Sequence, residues 1–413
     1  MRILAITNLY PNPHQPNRAP FNRQQFEALA AQHELRMIAP IAWTEELSTK
    51  WARKHPAQSR TNTKGVTIEH PRYWFPPKIL RGWYGHCFKR CIRKHFRRAV
   101  EEFRPDIVLA AWAYPDGWAA VELAHEAGLP VAVKVHGSDV LLLDQSIARR
   151  RRTIEALNRA DMIITVSKHL AREVIALGVA NEKIFVVRNG VDCNLFHPGS
   201  RQTARTRLGL PIDEEPEREP KKPPVPLLFF VGNLVAVKGP DVLIEACALL
   251  ARRSVSFDCR MIGQGPMYRV LERKIREAQL PQRVRLMGSR PLEEMPHWYR
   301  AADVVILPSR SEGLPNVLME ANACGAQMIA SRVGGISEVT ENGRLVLVPP
   351  NNAAALAAAI EHILAQDRPE IAAPSPSRSW NASAMLLASI LERLASRTYK
   401  KRAARPEPAS RFA

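Results

Sequence analysis

Short apolar runs alternate with amphipathic stretches along most of the chain. Runs such as 3–6, 131–135 and 227–231 are short enough to be buried strands, whereas stretches such as 116–127 and 241–252 repeat apolar residues at helical spacing. Strands that alternate with helices form parallel sheets with helices on both faces. The pattern therefore predicts an α/β fold, and because it occurs twice, it predicts two parallel-sheet domains.

A proline-rich, charged segment separates the two alternations. We predict an N-terminal domain over residues 1–198, a linker or insert over 199–226 and a C-terminal domain over 227–366. A last helix is predicted at 380–395, and the basic tail at 397–413 is predicted to be disordered. In parallel sheets, ligands bind outside the carboxyl ends of the strands. We therefore expect the two domains to face each other across a ligand-binding cleft.

Residues 309–325, Ser-Arg-Ser-Glu-Gly-Leu-Pro-Asn-Val-Leu-Met-Glu-Ala-Asn-Ala-Cys-Gly, follow a buried strand and turn into a helix. The amino end of that helix, with its unpaired backbone N–H groups, suits a phosphate. Glu312 in the loop and Glu320 in the helix could each accept two hydrogen bonds from a sugar diol. A nucleotide-sugar site is one interpretation, and a helix capped by solvated acids is an equal alternative at this point.

Two further loops follow predicted strands. The first, 232–239, is Gly-Asn-Leu-Val-Ala-Val-Lys-Gly, whose Lys238 could stabilise a departing phosphate as negative charge grows on it. A solvated loop lysine fits the same residues. The second is His136-Gly-Ser-Asp139 in the first domain. A lone histidine is more often a packing or capping residue, so His136 is a candidate for contacting the transferred sugar only if it faces the phosphate site.

Composition limits the partners. The formal net charge of +19 is consistent with an anionic partner, nucleic acid or a membrane surface, or with an arginine-rich composition alone. The six cysteines are scattered, which fits a reducing cytoplasm and gives no structural zinc site. The sequence holds no Asp-x-Asp, so no carboxylate-held metal and no other cofactor is expected. No apolar run is long enough for a transmembrane helix, and residues 1–8 predict a first strand and not a signal peptide.

Residues 72–104 hold ten lysines and arginines, interleaved with aromatic residues at helical spacing. Such a pattern is typical of an interfacial helix on anionic lipid. A basic surface helix with an ordinary core-facing stripe is the alternative. Nucleic acid is not expected as the partner, because the sequence shows no recognisable nucleic-acid-binding module.

Together these motifs resemble the retaining GT-B glycosyltransferases of family 4 (glycosyl transferases group 1). The resemblance rests on Ser-Glu-Gly-Leu-Pro-Asn-Val-Leu-Met-Glu-Ala at 311–321, the Gly-Asn-Leu-x₃-Lys-Gly turn, His-Gly-Ser-Asp and Asn-Gly-Val-Asp at 189–192, in that family's order. It extends over about 1–395. The Gly-Asn-Leu turn and the Tyr-Pro-Asn near the start resemble the bacterial exopolysaccharide or teichuronic-type branch.

The resemblance implies two Rossmann-like domains that face each other across a cleft, with a C-terminal helix that packs back on the first. It implies the activity of a metal-independent hexosyltransferase. It implies a UDP- or GDP-linked sugar as donor and a glycan or polyprenyl-linked acceptor, on the inner face of the cell membrane. Glu320 would hold the donor ribose, Glu312 the sugar hydroxyls and His136 the sugar's C6 side. The diphosphate would meet the backbone amides of 314–316, with Lys238 beside it. The implied donor-binding set is Asn233, Gly313, Leu314, Pro315, Asn316 and Glu320, and the implied catalytic set is His136, Lys238 and Glu312.

Two departures from the family pattern affect the expected site. Asn233 stands where many members have arginine, so one phosphate-binding cation is missing, and Ala19 stands where a glycine is common. Two other classes of function remain open on the sequence alone. One is another sugar-nucleotide enzyme of this fold, an epimerase or a hydrolase, and the other is a non-catalytic nucleotide-sugar-binding scaffold protein.

Overall fold

The computed structural model describes residues 1–16, 18–48, 60–76, 81–143, 146–212, 225–339, 343–366 and 379–403. The chain divides into two compact units, Met1–Gly190 with Trp380–Ala413, and Val191–Ser379. Each unit is built around its own parallel sheet with helices packed on it, which confirms the predicted α/β class with two Rossmann-like domains.

The elements are as follows. The strands are β1 Arg2–Ile6, β2 Glu34–Ile38, β3 Ile41–Ala42, β4 Arg60–Thr63, β5 Val66–Glu69, β6 Arg72–Tyr73, β7 Ile107–Ala111, β8 Val131–Val135, β9 Met162–Thr165, β10 Ile184–Val186, β11 Leu227–Val231, β12 Asp258–Ile262, β13 Val284–Gly288, β14 Val304–Leu307, β15 Met328–Ser331 and β16 Leu345–Val348. The helices are α1 Pro20–Ala30, α2 Trp43–Ser48, α3 Tyr84–Phe103, α4 Trp118–Glu126, α5 Ser138–Leu141, α6 Ile147–Arg159, α7 Lys168–Ala176, α8 Arg201–Arg207, α9 Pro240–Arg252, α10 Tyr268–Glu277, α11 Met295–Ala301, α12 Asn316–Ala323, α13 Ala353–Leu364 and α14 Trp380–Ala403.

The sheet of the first unit has the order β10-β9-β8-β7-β1-β2-β5-β4 in the described part of the chain. Its pairings are parallel except for the edge strand β4, which pairs antiparallel with β5 across the turn at Lys64 and Gly65. From β1 the chain fills one side of the sheet first and then crosses to β7 on the other side. The order of strands therefore reverses between β1 and β7.

Helix α14 belongs to the core of the first unit. Its buried residues Leu387 and Leu391 join a cluster with Phe26 of α1 and with Ile3 and Leu109 of the sheet. Fully burying one such aliphatic side chain stabilises a fold by about 1.5–3 kcal/mol. The last helix of the chain therefore completes the unit that the first residues begin.

A buried polar cluster also ties α14 to this unit. Lys134 on β8 is 1 % exposed, and its Nζ donates to Gln25 Oε1 on α1 and, at 3.2 Å, to Asn189 Oδ1. Gln25 Nε2 donates to Ser383 Oγ of α14 at 3.2 Å, and Ser383 Oγ donates to the Arg188 carbonyl at 2.6 Å. This Lys134 cluster joins a strand, two helices and the residues just before the chain passes into the second unit.

The predicted end of the first domain, residue 198, is too late. The first unit ends at Gly190 and the second starts at Val191, which forms a parallel bridge with Ser379. The ring of Phe196 is buried and lies 6.0 Å from the ring of Tyr299 on α11. Residues 191–198 are therefore part of the second unit because their apolar side chains pack there.

The predicted linker, 199–226, is also wrong in its first part, where α8 forms. The Ser200 hydroxyl caps this helix by accepting from Thr203 N at 3.2 Å. Arg201 and Arg205, one turn apart, both donate to Asp303 at 2.7 Å, which anchors α8 to the second unit. The proline-rich residues 213–224 lie outside the described residues, so the prediction for them stays a prediction.

The C-terminal helix is longer than predicted. It was expected to end at 395, with a disordered tail at 397–413, but α14 continues through Ala403. No proline or glycine lies between 396 and 403 to end it. Residues 404–413 lie outside the described residues.

The aromatic stripe of the basic helix is not available to a membrane. Phe88, Ile92 and Phe96 of α3 are at most 2 % exposed and pack into the first unit. The interfacial-helix interpretation is therefore wrong for these side chains, because the same apolar spacing serves a core-facing stripe. Of the described helices, none has both the length and the hydrophobicity needed to cross a bilayer.

The Lys134 cluster makes the stability of the first unit depend on pH. Burial lowers the pKa of Lys134 to about 7, whereas an unfolded lysine titrates at about 10.4. Between those values the unfolded chain binds the proton and the folded chain does not, so stability rises with pH, by up to about 1.4 kcal/mol per pH unit. We expect the melting temperature of the wild type to rise relative to that of Lys134→Met between about pH 7 and pH 9.

The matched control is Lys183→Met, since Lys183 is in the same unit and its Nζ donates to two backbone carbonyls at 2.9 and 3.1 Å at the surface. This variant should differ from the wild type by a constant amount over the same range. A constant difference for Lys134→Met as well would contradict the prediction.

Candidate functional site

The second unit places two of the predicted loops side by side. Its sheet has the order β13-β12-β11-β14-β15-β16 in the described residues, and β11 pairs in parallel with β14. From β11 the chain fills one side of the sheet and then crosses to β14 on the other side. Ligands of such sheets bind at this reversal, outside the carboxyl ends of the strands. The loop 232–239 follows β11 and the loop 308–315 follows β14, so both lie at that point.

A salt bridge joins the two loops. Lys238 Nζ lies 2.6 Å from Glu312 Oε1, and Ser309 Oγ donates to the same oxygen at 2.6 Å. Ser309 is fully buried and Glu312 is 7 % exposed, whereas the Lys238 side chain keeps a quarter of its surface exposed. The buried Ser309 hydroxyl therefore fixes the Glu312 carboxylate, and the partly exposed Lys238 side chain lies between this carboxylate and solvent.

The amino end of α12 lies in the same loop. Pro315 has extended backbone angles and precedes the first helical residue, Asn316. The backbone N–H groups of Gly313 and Leu314 have no acceptor among the residues that the structure describes. With the positive end of the helix dipole, these groups can bind an anionic oxygen.

Glu320 lies one turn further along α12. The Tyr299 hydroxyl of α11 donates to Glu320 Oε2 at 2.9 Å. Burial raises the pKa of Glu320 to about 7, although the tyrosine hydrogen bond acts in the opposite direction. Near neutral pH the Glu320 carboxyl is therefore divided between its charged and neutral forms, and it keeps one oxygen for a ligand hydroxyl.

Two glycines let these loops pack closely. A Cβ atom on Gly239 would lie 2.0 Å from the Pro308 carbonyl oxygen, and one on Gly334 would lie 1.8 Å from the Glu312 carbonyl oxygen. Both glycines have positive φ, 63° and 57°. A side chain at either position would push apart the backbone that carries Lys238 and Glu312.

Asn233 contributes no charge to the site. It is exposed in the loop after β11, and its backbone carbonyl accepts from Val235 N at 2.9 Å. Arg310, in the neighbouring loop, is engaged by both carboxylate oxygens of Asp241 at 2.9 and 2.8 Å. Of the cations in these two loops, Lys238 is therefore the one placed to meet a phosphate.

His136 lies in the first unit, in the loop after β8. Its ring is 4.9 Å from the Phe21 ring, and its Nε2 is buried without a hydrogen-bond partner among the described residues. Burial, with the charge of Lys134 as a second cause, holds the pKa of His136 well below its usual range. The neutral ring can exchange a hydrogen bond with a hydroxyl group, as donor or acceptor according to its tautomer.

Two buried aspartates hold the loops around His136. Asp139 accepts from the backbone N–H groups of His136 and Gly137 at 3.0 and 2.8 Å through Oδ1, and from that of Ala113 at 3.1 Å through Oδ2. Asp116 accepts from the Asn8 N–H, and burial raises its pKa to about 7. The loops after β1, β7 and β8 are thereby linked at the carboxyl edge of the first sheet.

Ala19, where the sequence departs from the family pattern, precedes α1 with a φ of 44°. This left-handed conformation costs a non-glycine residue of the order of 1 kcal/mol. It explains why a glycine suits this position, and it shows that the alanine is accommodated there.

The structure thus divides the predicted site residues between the units. In the second unit, Lys238 and Glu312 are in contact, and the backbone of 313–316 lies in the same loop as Glu312. Glu320 accepts a hydrogen bond from Tyr299. The roles of Ser309, Tyr299 and Asp116 were missed. Ser309 lies three residues before Glu312 and could have been proposed as its partner, but Tyr299 and Asp116 reach their partners from other elements and carry no sequence signal.

Two family models match the chain. The model described as Glycosyltransferase Family 4 matches residues 23–195, and the model described as Glycosyl transferases group 1 matches residues 211–375. The first match lies almost entirely in the first unit and the second match in the second unit. Between them they extend over most of the chain.

Curated relatives are similar over much of the length. TuaC of Bacillus subtilis strain 168 is 28% identical over 87% of this chain and 88% of its own. It is provisionally named a teichuronic acid biosynthesis glycosyltransferase. The D-inositol 3-phosphate glycosyltransferase of Mycobacterium tuberculosis strain H37Ra is 32% identical over 61% of this chain and 51% of its own.

Solved structures share the fold at low sequence identity. Sucrose-phosphate synthase from Thermosynechococcus elongatus has a TM-score of 0.72 at 20% identity, with 98% of each chain covered. HepE from Anabaena, in complex with UDP-glucose, has a TM-score of 0.67 at 17% identity, with 98% of this chain and all of that chain covered.

Both family models and the two curated relatives are described as glycosyltransferases, which supports glycosyl transfer over the epimerase, hydrolase and scaffold alternatives. The matched models correspond to the two units in chain order, and the solved structures share the two-domain architecture. The chain belongs to the GT-B glycosyltransferases of family 4.

Proposed function

We propose that this protein is a retaining glycosyltransferase that moves a sugar from a UDP- or GDP-linked donor to a glycan or lipid-linked acceptor, in the synthesis of a surface polysaccharide or glycolipid. The observation that carries the proposal is the contact of Lys238 with Glu312 beside the N–H groups of Gly313 and Leu314, which have no acceptor in the described part of the chain. Cation, carboxylate and amide donors together match a diphosphate flanked by hydroxyl-rich rings.

The donor would lie along the loop after β14. Its diphosphate would meet the N–H groups at the amino end of α12 and the ammonium of Lys238. Glu320 would accept hydrogen bonds from the ribose diol, and Glu312 from hydroxyls of the transferred sugar. In this arrangement the carboxylates contact neutral hydroxyls and leave the phosphate to the cation and the amides, which avoids repulsion between like charges.

Transfer with retention would proceed by front-side attack. The bond between C1 of the sugar and the diphosphate oxygen breaks, and its electron pair stays on that oxygen. The acceptor oxygen bonds to C1 on the same face, and its proton passes to the leaving diphosphate oxygen. Lys238 and the α12 N–H groups stabilise the charge that grows on the diphosphate, and no metal ion is needed in this scheme.

Two comparisons support the choice of substrates. HepE, which shares the fold, is known in complex with UDP-glucose, and TuaC, which is similar over 87% of this chain, is named for teichuronic acid biosynthesis. They favour a UDP-sugar as the first donor to test and a glycan or lipid-linked glycan as acceptor.

A membrane-bound acceptor is favoured by the exposed surface of the first unit. Arg90, Lys94 and Arg97 of α3 are exposed and have no ion-pair partner among the described residues. We call these three the α3 basic face. Trp83, just before α3, is 63% exposed, and Ile147 at the start of the neighbouring α6 is 89% exposed.

Cations beside exposed apolar side chains suit an anionic lipid surface, and each basic residue near it contributes about 1 kcal/mol. We therefore propose peripheral binding to the inner face of the cell membrane, with the acceptor supplied from the lipid.

The function is tested with a panel of sugar nucleotides. Thermal shift should identify a donor, and release of UDP or GDP from it should depend on a lipid extract or glycan acceptor and persist in EDTA. NMR of the product should show the same anomeric configuration as in the donor. Release without acceptor would indicate a hydrolase, and binding without release would indicate a scaffold protein.

Glu320→Gln should weaken binding of the donor about tenfold, because a ribose hydrogen bond to a charged group is lost. Wild-type affinity should fall as the pH drops below about 7, since the carboxylate is present above its pKa and protonated below it. The variant should lack this pH dependence. Isothermal titration with the intact sugar nucleotide is the appropriate measurement, because nucleotides with a terminal phosphate titrate near pH 6 themselves.

Glu312→Gln serves as the contrasting variant. It should slow sugar transfer more than it weakens binding of UDP or GDP alone, since its proposed contact is to the transferred sugar. Wild-type binding and turnover in both glutamate variants would refute the site assignment.

Membrane binding is tested by reversing the charge of the α3 basic face, with Arg90, Lys94 and Arg97 replaced by Glu. Sedimentation with vesicles that contain phosphatidylglycerol should be lost. Arg93 and Arg98 are kept because they pair with Glu126 and Glu69. The control reverses three exposed arginines of the second unit, Arg252, Arg269 and Arg285, and should bind as the wild type does. Equal loss in both triple variants would show a net-charge effect and overturn the proposed surface.

A further inference from the structure

The two loops of the donor site come from distant parts of the chain, and something must hold them in register. Lys238 and Glu312 are 74 positions apart in sequence, yet their charged atoms lie 2.6 Å apart. Lys238 has a long, flexible side chain, so the position of its ammonium depends on where the backbone of the 232–239 loop is held.

Arg310 spans the two loops. Its guanidinium donates to both oxygens of Asp241, at 2.9 and 2.8 Å, and also to the Ala236 carbonyl. Its backbone N–H donates to the Val237 carbonyl at 2.7 Å. The residues that Arg310 binds thus flank Lys238 on both sides, and Arg310 itself is two positions before Glu312.

The geometry requires an arginine. A bidentate pair with a carboxylate uses two N–H groups in a planar fork, and a third donor direction remains for a carbonyl. Nε of Arg310 also donates to Asn351 Oδ1 at 2.6 Å. A lysine carries its three N–H donors on a single nitrogen, so it cannot form the bidentate pair with Asp241 and reach Ala236 and Asn351 in the same way.

Asp241 gives the clamp a rigid base. It lies in the first turn of α9, two residues after Gly239, whose backbone packs against the Pro308 carbonyl. An acidic residue is favourable at that end of a helix in any case. Arg310 therefore links the start of α9, the turn that carries Lys238 and the loop that carries Glu312.

We propose that Arg310 is a positioning residue of the donor site, which clamps the Lys238 turn to the Glu312 loop and thereby sets the affinity for the diphosphate part of the donor. Asp241, Asn351 and the Ala236 carbonyl engage four of the five guanidinium N–H groups of Arg310, so the role assigned to it is to position Lys238 and not to bind the donor. It compensates for the neutral Asn233 by fixing the remaining cation in place. The proposal rests on the function proposed above, in which a nucleoside diphosphate binds at Lys238.

The test compares UDP with uridine. In Arg310→Lys the affinity for UDP should fall about tenfold, whereas the weak binding of uridine, followed by ligand-observed NMR, should not change. Asp241→Asn should show the same selective loss and serves if Arg310→Lys folds poorly. The matched control is Arg260→Lys, since Arg260 forms an arginine–aspartate pair with Asp258 in the same unit, on β12. The control should bind UDP as the wild type does.

A double-mutant cycle separates positioning from general stability. If Arg310 acts through Lys238, then Arg310→Lys should change UDP affinity little in a Lys238→Ala background. Additive losses, equal losses for UDP and uridine, or unchanged UDP binding in Arg310→Lys would each overturn the inference while leaving the proposed function intact. Failure of the wild type to bind UDP or GDP at all would refute the proposed function itself, and this inference with it.

Discussion

The parallel pairing of β11 with β14 is the constraint on which the proposed donor site depends. These strands are adjacent in the second sheet, although helices and two other strands separate them in sequence. Their carboxyl ends therefore deliver two loops to one place, with glycines where the backbones meet. A salt bridge across a 74-residue separation becomes a local contact, and the N–H groups at the start of α12 lie beside it.

Charge is balanced closely at this place. Lys238 is paired with Glu312, and Arg310 with Asp241. A diphosphate that bound here would share Lys238 with Glu312, so the lysine would have two anionic partners in the complex and one without the ligand. In the proposed reaction this sharing would help the nucleotide to leave, since a cation bound only to phosphate would hold it more tightly. It also makes the position of a single ammonium group decisive, which gives the surrounding hydrogen bonds their importance.

The first unit differs in that it buries titratable groups and holds them with hydrogen bonds from its own backbone and side chains. Asp116 and Asp139 are buried, and they accept backbone N–H groups from three loops, while Lys134 is buried among amides and a hydroxyl. Buried polar groups of this kind are costly unless their hydrogen bonds are satisfied, so they fix the loops and α14 in one arrangement. Helix α3 likewise buries aromatic residues, Phe88 and Phe96, in the core of the unit, while its cations Arg90, Lys94 and Arg97 are exposed.

The sequence by itself determined the α/β class, the two domains and most of the elements, because alternation of short apolar runs with helical periodicity depends only on local residue spacing. It also placed Lys238 and Glu312 in loops that follow strands, and Glu320 in the helix after the second of these loops. It misplaced the boundary at 198 and the linker, since whether residues 191–207 join a unit depends on Asp303 and Tyr299, a hundred positions away. Only the tertiary structure decided that α3 turns its aromatic residues inward, that Tyr299 holds Glu320 and that Arg310 holds the Lys238 turn. Each of these is a contact between elements distant in sequence, and the identity of a residue does not specify which distant partner the fold will bring to it.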